Sequence, residues 1–445
     1  MIEEDLKNRI LRLIKREVVP AMGCTEPVAV ALAVARAVEL YRGSRDSITA
    51  IDCLLSANII KNAMGVGIPG TGMIGLPIAI ALGALVGRAD LGLEVLSAVN
   101  DKAVEDGKAL IDKDIIKIQL CKDAPSLLHI DVRITGPEHT SRAVISGSHT
   151  NFVVCESDGR AVNAGTDGGE NASCTDAYAI PELNLSTVWD FSINTPVDEL
   201  SFILETRRLN KAAAEWALMD NYGHSVGRTL HSERQRNVMG DSTFSRILSY
   251  TSAACDARMG GAPVAVMSNS GSGNQGIAAT MPVVVYAEEN YADREHTVRA
   301  LTLSHLTAIY IKQSLGCLSA LCGCVVAATG SSAGICYLMG GGYEQVAATV
   351  KNMVANLTGM ICDGAKPSCA LKISSGVSTA VISAMVAMEG QSVTPLEGII
   401  DQDVDRTISN LTTIGREGMT QTDALILDIM THKNEPKKEP HSPQS

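Results

Sequence analysis

The sequence predicts an α+β chain: an N-terminal α/β sandwich-like domain with an antiparallel sheet, followed by an all-α C-terminal domain. Three observations point to it. Apolar residues alternate at period two only between about residues 114 and 165. After Pro196 helical patterns succeed one another with almost no strand signal. Aromatic residues make up 3% of the chain against 46% hydrophobic overall, so Ala, Val, Ile, Leu and Met must form the core, which suits close helix–helix approach. A chain of 445 residues is long enough for two or three domains, and the seams fall at 1–195, 196–430 and a tail, 431–445.

Leu6, Ile10, Leu13, Ile14 and Val18 recur at helical spacing and give a first helix over residues 3–18. Then comes the turn Gly23-Cys24-Thr25-Glu26-Pro27. Thr25 suits a cap and Pro27 a first turn, so an Ala/Val-rich helix follows to about Tyr41. Cys24 then stands just outside a helix N-terminus, whose partial positive charge favours a thiolate. After an apolar run at 51–55 the chain reads Gly65-Val66-Gly67-Ile68-Pro69-Gly70-Thr71-Gly72. Such backbone-lined loops hold anions or carboxylates on free N–H groups, and they equally serve only to turn a chain and let helices pack.

Ile116, Ile118 and Leu120 alternate with Lys117 and Gln119, and Leu128, Ile130, Val132 and Ile134 with His129, Asp131 and Arg133. These are half-buried strands, continued at 141–145 and 152–156, and they predict an antiparallel sheet with helices on one face. His149 sits at the entry to the last strand, where a histidine is more commonly structural or solvated than part of a site. Residues 163–187 are polar and Gly-rich and read as a linker or surface excursion. Helical patterns follow around 197–220, 241–258, 276–289, 294–315, 318–338, 343–358, 376–389 and 416–430. Between them Ser270-Gly271-Ser272-Gly273-Asn274-Gln275-Gly276 offers hydroxyls, an amide and unhindered N–H groups, chemistry suited to a small carboxylate or phosphate and also to a plain linker. From Thr431 the Lys/Glu/Pro/Ser-rich tail is expected to be disordered.

A net charge of -12 argues against nucleic acid as a partner, since neutralising phosphates takes clustered Lys and Arg. The acidic N-terminus is no signal peptide, and the most apolar window, 73–86, is short of the roughly 20 residues that span a bilayer, so no membrane partner is expected. Twelve cysteines without a secretion signal point to a reducing cytoplasm, where thiols act as core filler, metal ligands or catalysts.

Cys317, Cys322, Cys324 and Cys336 lie in or beside one Ala/Gly-rich segment, and Cys362 and Cys369 bracket a loop containing Gly364 and Pro367. Zinc sites favour C-x2-C pairs, of which the chain has none. Iron–sulfur clusters tolerate wider, less regular spacing, and three thiolates leave one iron open for Lewis-acid chemistry. By their surroundings alone, Cys322 and Cys324 read equally as buried small hydrophobes. Cys53, Cys121, Cys155 and Cys255 lie in apolar or strand contexts and read as filler.

Taken together, Gly23 to Pro27, Lys61-Asn62-Ala63 with Gly67 to Gly72, Ser270 to Gly276, Ala320-Leu321-Cys322-Gly323-Cys324 and Cys362-Asp363-Gly364-Ala365-Lys366 resemble the L-cysteine desulfidase family, itself related to the iron–sulfur L-serine dehydratases. The resemblance runs from about residue 10 to 430. It implies a pyridoxal-independent lyase that uses a 4Fe–4S cluster, in the C-terminal domain, to break L-cysteine into pyruvate, ammonia and sulfide. Carried over by position, it implies Cys362 and Cys369 as cluster ligands, with Cys322 as the first and Cys324 as its alternative. It further implies Cys24 as the base. A small amino acid is the expected partner, its carboxylate on N–H groups of Ser270, Gly271, Ser272, Gly273 and Asn274 and of Gly70, Thr71 and Gly72. The Ala/Gly-rich helices suit a homodimer. Three alternatives stand beside this reading: an iron–sulfur L-serine dehydratase, an iron–sulfur redox or sensor protein, and a pyridoxal-phosphate lyase with Lys61, Lys366 or Lys372 as its Schiff-base lysine.

Overall fold

The structure, a computed structural model, describes residues 2–162, 180–316 and 320–432. Most of the expected linker, Cys174, Cys317 and all but the first two residues of the tail lie outside the described residues. The first part runs α1 (Glu4–Glu17), β1 (Pro20–Met22), α2 (Thr25–Leu40), β2 (Ala50–Leu55), α3 (Ala57–Ala63), α4 (Leu76–Leu85), α5 (Asp101–Asp112), β3 (Ile116–Leu120), β4 (His129–Thr135), β5 (Thr140–Ser146), β6 (Phe152–Ser157) and β7 (Arg160–Ala161). The second runs α6 (Leu185–Asn194), α7 (Val197–Leu200), α8 (Leu204–Met219), α9 (Val226–His231), α10 (Glu233–Met239), α11 (Thr243–Met259), β8 (Ala265–Met267), α12 (Gly273–Glu289), α13 (Arg294–Leu315), α14 (Gly323–Leu338), α15 (Tyr343–Leu357), α16 (Cys369–Met388), α17 (Val404–Thr413) and α18 (Thr420–Thr431). The architecture is mixed α+β, as the sequence predicts.

Six strands form one sheet in the order β3-β2-β4-β5-β6-β7. It is antiparallel except at β2 and β3, which pair in parallel with Ile51 opposite Ile116. The alternation seen in the sequence has its cause here: Ile130, Val132 and Ile134 of β4 are fully buried, and α2 packs across β4, β5 and β6. That helix is buried around nearly its whole circumference because α4 covers its other side. This explains its Ala/Val run without a polar stripe.

In the helical part α11 packs against α8, α9, α12 and α16, while α14 packs against α12, α13, α15 and α16. One short strand, β8, breaks the all-helical pattern by pairing antiparallel with β1, Pro20 opposite Met267. Among the described residues, one helix, α16, is long and apolar enough to cross a bilayer, and 56% of its apolar window is buried. It is a different segment from the 73–86 window that the sequence singles out, much of which forms the buried α4.

The two ends of the chain cross over. Ile10, Leu13 and Ile14 of α1 join the helical core, whereas Leu427 of α18 joins the core beneath the sheet. Lys61 of α3, 5% exposed, meets Asp423 of α18 at 2.5 Å. Gly364 wedges against the same residue: its φ is +91°, and a Cβ there would stand 2.0 Å from the Lys61 carbonyl oxygen. Gly364→Ala is therefore expected to lower stability by about 1–3 kcal/mol. Denaturant unfolding of the metal-free chain measures it, and an unchanged midpoint would remove the wedge from the account.

Candidate active site

Four helix N-termini carry the residues singled out in the sequence. Cys24 caps α2, Ser272 caps α12, Cys322 caps α14, and Cys369 is the first residue of α16. Two of these ends abut, since Gly323 at the start of α14 lies against Gln275 in the first turn of α12. An isolated antiparallel bridge between Leu321 and Ile361 binds the two cysteine-bearing segments together. Cys322 N donates to Met360 O at 2.9 Å, and Cys362 N donates to Ala320 O at 2.6 Å. Cys369 Sγ, across the loop, faces Gly364 O at 3.7 Å. Cys255 reaches the same region from α11, with its Sγ 3.6 Å from Asn274 Oδ1.

The charges here follow from that arrangement. A hydrogen bond from Cys324 holds the Cys322 thiol below its usual range against the cost of burial, helped by N–H groups of the first turn of α14 and by Lys372. Cys324, the donor of that bond and deeply buried, is pushed up. Burial also raises Cys362, countered by Lys61 and Lys372, and raises Cys369, countered by an N–H bond and Lys366. Burial pushes the Asp363 carboxyl up, but Lys366 and Lys372 outweigh it and leave it at about 2. All three candidate Schiff-base lysines are thus ion-paired: Lys61 with Asp423, Lys366 and Lys372 with Asp363.

Among the described residues, no three His, Cys, Asp or Glu side chains come close enough to hold a single metal ion. A cluster makes a different demand, because each thiolate binds its own iron and the sulfurs stand further apart. Cys322, Cys362 and Cys369 lie within range of one another's charge, beside lysines and two positive helix ends. That donor set fits an anionic iron–sulfur cluster.

Cys24 occupies the helix end that the sequence gives it, yet the expectation of a favoured thiolate is not met. It is 2% exposed, and its Sγ donates to Glu26 Oε2 at 2.9 Å. Burial first, and then the Glu26 carboxylate, push the thiol up, and Arg258 only partly offsets them. Glu26 Oε2 also accepts from Thr25 Oγ1 at 3.3 Å. His149 lies within reach of the same carboxylate's charge, and burial lowers its pKa against the pull of Glu26. The resting arrangement is a thiol whose proton already points at a carboxylate.

The two Gly-containing loops differ in what they leave available. Gly70 N donates to Gly261 O and Thr71 N to Ile68 O, both at 3.2 Å, so of this loop's three candidates Gly72 alone retains an N–H without a partner among the described residues. In the other loop Ser270 N donates to Glu17 O and Ser272 N to Asn269 O, which leaves the N–H groups of Gly271, Gly273 and Asn274. A Cβ at Gly70, Gly72 or Gly271 would meet nothing within 4 Å, so all three border open space.

Behind the second loop stands a histidine that the sequence reading passes over. His305 of α13 is fully buried, its Nδ1 3.1 Å from Asn269 Nδ2 and its Nε2 3.0 Å from Thr280 Oγ1. Burial lowers its pKa to about 3. Since the folded value lies below the unfolded value of about 6.5, the unfolded chain takes up the proton first, and stability is lost as pH falls from about 6.5 toward 3. His305→Gln should remove on the order of 3 kcal/mol of the loss between pH 7 and pH 4. Urea midpoints at the two pH values test this, and parallel acid limbs in both proteins would refute it.

Glu26 and Cys255 also lie beside these groups without a signal in the sequence. Glu26 reads as an ordinary acidic first-turn residue, and Cys255 has the apolar neighbours of filler whether or not it faces a site. A surface cleft lined by Lys211, His231, Arg246, Tyr250 and Glu288 includes none of the cysteines.

Residues 91–428 match the serine dehydratase alpha chain family. The chain belongs to that family, a family of lyases associated with iron–sulfur clusters. Among its relatives is a UPF0597 protein of Phocaeicola vulgatus, 60% identical over 435 residues, spanning 97% of this chain and 99% of that one. A UPF0597 protein of Porphyromonas gingivalis is 53% identical over 436 residues (97% and 100%), and one of Shewanella pealeana 45% identical over 434 (97% and 100%).

Proposed function

We propose that the protein is an L-cysteine desulfidase, eliminating sulfide from L-cysteine to leave pyruvate and ammonia. The observation that carries this reading is the pairing of two features: three thiols gathered at the ends of α14 and α16, and the hydrogen-bonded pair of buried Cys24 and half-buried Glu26 at the end of α2. Cys322, Cys362 and Cys369 would hold a 4Fe–4S cluster, with the backbone bridge that sets Cys322 beside Cys362 supporting it over Cys324. When bound, the cluster would supply one open iron, a Lewis acid that makes sulfide a better leaving group.

The chain's own residues do the rest. Asn274, Gly273 and Gly271 present N–H groups to the substrate carboxylate. As the Cys24 sulfur takes the α-proton, its own proton passes to Glu26 Oε2, already its hydrogen-bond acceptor. The relay answers the raised Cys24 pKa, because a free thiolate never has to accumulate. The electron pair of the broken Cα–H bond forms the double bond of aminoacrylate as the C–S bond breaks. Tautomerisation and hydrolysis then give pyruvate and ammonia.

The family's description favours a second reading, elimination of water from L-serine. What supports the thiol is the Gly-Cys-Thr-Glu-Pro turn, with a cysteine where the serine enzymes carry a hydroxyl-rich loop. Anaerobic reconstitution with iron and sulfide, followed by sulfide and pyruvate assays on both amino acids, decides between them. Faster pyruvate release from L-serine would replace the desulfidase reading.

A further inference from the structure

One strong cation near this site, Arg258, makes no ion pair among the described residues. Arg258, in the last turn of α11, is 5% exposed, and its Nε has no hydrogen-bond partner among the described residues. Its Nη1 donates to Asn274 Oδ1 at 3.2 Å and lies 4.0 Å from Met259 Sδ, both neutral acceptors. Asp256, two residues earlier, uses Oδ2 to accept from Gly227 N at 2.9 Å. Burying a guanidinium without an anion is costly, and proteins retain such groups where a ligand supplies the missing charge.

The guanidinium lies over the start of α12. A Cβ built on Gly273 would stand 2.2 Å from Arg258 Nε, so only glycine permits the approach. Beside it are the unused N–H groups of Gly273 and Asn274, the orphan donors of that helix's first turn. Its charge is also felt by both Cys24 and Cys255, so it lies within electrostatic reach of the Cys24–Glu26 pair and of the cysteine region.

We infer that Arg258 is the counter-ion of the substrate α-carboxylate, completing with the Gly273 and Asn274 N–H groups a carboxylate site that a helix end alone would not make. The inference rests on the reading of this site as an amino-acid lyase and adds to it a requirement for an α-carboxylate in every substrate. A charge-assisted contact of this kind gives a free α-amino acid its affinity, while an amide or amine of the same shape gains little.

The experiment uses the full chain after anaerobic reconstitution, as wild type and as Arg258→Gln, Arg258→Lys and Gly273→Ala. Ligand-observed NMR titrations compare L-alanine, which lacks a leaving group, with L-alaninamide, which lacks the carboxylate. Arg258→Gln should weaken L-alanine about 100-fold and leave L-alaninamide nearly unchanged, with Arg258→Lys in between. For L-cysteine the expected signature is a raised KM with unchanged iron content and visible absorption. Gly273→Ala pushes a methyl group onto the guanidinium and should give the same split with Arg258 intact, so it serves if Arg258→Gln fails to fold. Equal losses for alanine and alaninamide, a change under about threefold, or no L-alanine binding by wild type would each overturn the assignment. If wild type binds L-alanine through Arg258 but releases no sulfide from L-cysteine, the desulfidase reading falls and this one stands. If sulfide is released and Arg258→Gln leaves KM unaltered, the reverse holds.

Discussion

Cys362→Ala and Cys369→Ala are each expected to reduce bound iron, brown absorption and sulfide release to background. The reason is geometric. The Leu321–Ile361 bridge fixes Cys362 beside Cys322, and the turn through Gly364 brings Cys369 back onto the same loop as the start of α16. With one thiol gone, two remain, and neither can take over a second iron. Cys336→Ala is the control, since Cys336 lies far along α14 with its Sγ 3.9 Å from Met388 Sδ and should leave iron content unchanged. Iron and acid-labile sulfide analysis of the four proteins gives the result. A fully loaded Cys369→Ala protein would hand that position to Cys324 or Cys255.

Cys24→Ala and Glu26→Gln should separate chemistry from assembly. Each is expected to lower kcat by roughly 10²–10⁴ while the visible spectrum and iron content stay as in wild type. The prediction for Glu26 is the more discriminating. If Cys24 worked alone as a thiolate at a helix end, removing the neighbouring carboxylate would ease its ionisation and raise activity near neutral pH, because Glu26 is one of the groups that push the thiol up. If the two act as a relay, Glu26→Gln loses the proton acceptor and activity drops. Steady-state assays from pH 6 to 9 distinguish the two, and a faster Glu26→Gln enzyme would sink the relay.

Sequence patterning reached the fold where the cause was local. The β4–β5–β6 meander shows itself as period-two alternation because one face is buried under α2. The parallel pairing of β2 with β3 did not show, since the residues between them, including α3, α4 and α5, separate partners that only tertiary packing brings together. β1 and β8, three residues each, are too short to carry a period. At the site, the Cys24 turn, the Ser/Gly loop and the cysteine pair announced themselves through Gly and Pro around a reactive side chain. Arg258 was silent because a basic residue in a last helical turn has an ordinary role opposite the helix dipole, and only its burial without an anion gives it another. His149 reads as a strand-end histidine, and only the fold of distant segments brings it within reach of the Glu26 charge.

The crossing of the chain's ends bears on how the molecule comes into being. The sheet strands and α2 precede α18 by hundreds of residues, so the patch that receives Leu427 and the buried ammonium of Lys61 stay uncovered until α18, the last helix among the described residues, is in place. An incomplete chain therefore leaves apolar surface and an unpaired cation in view, the marks by which chaperones and proteases sort nascent products. Closure of the N-terminal half therefore waits for α18, and the Gly364 loop, held against Lys61, is seated with it.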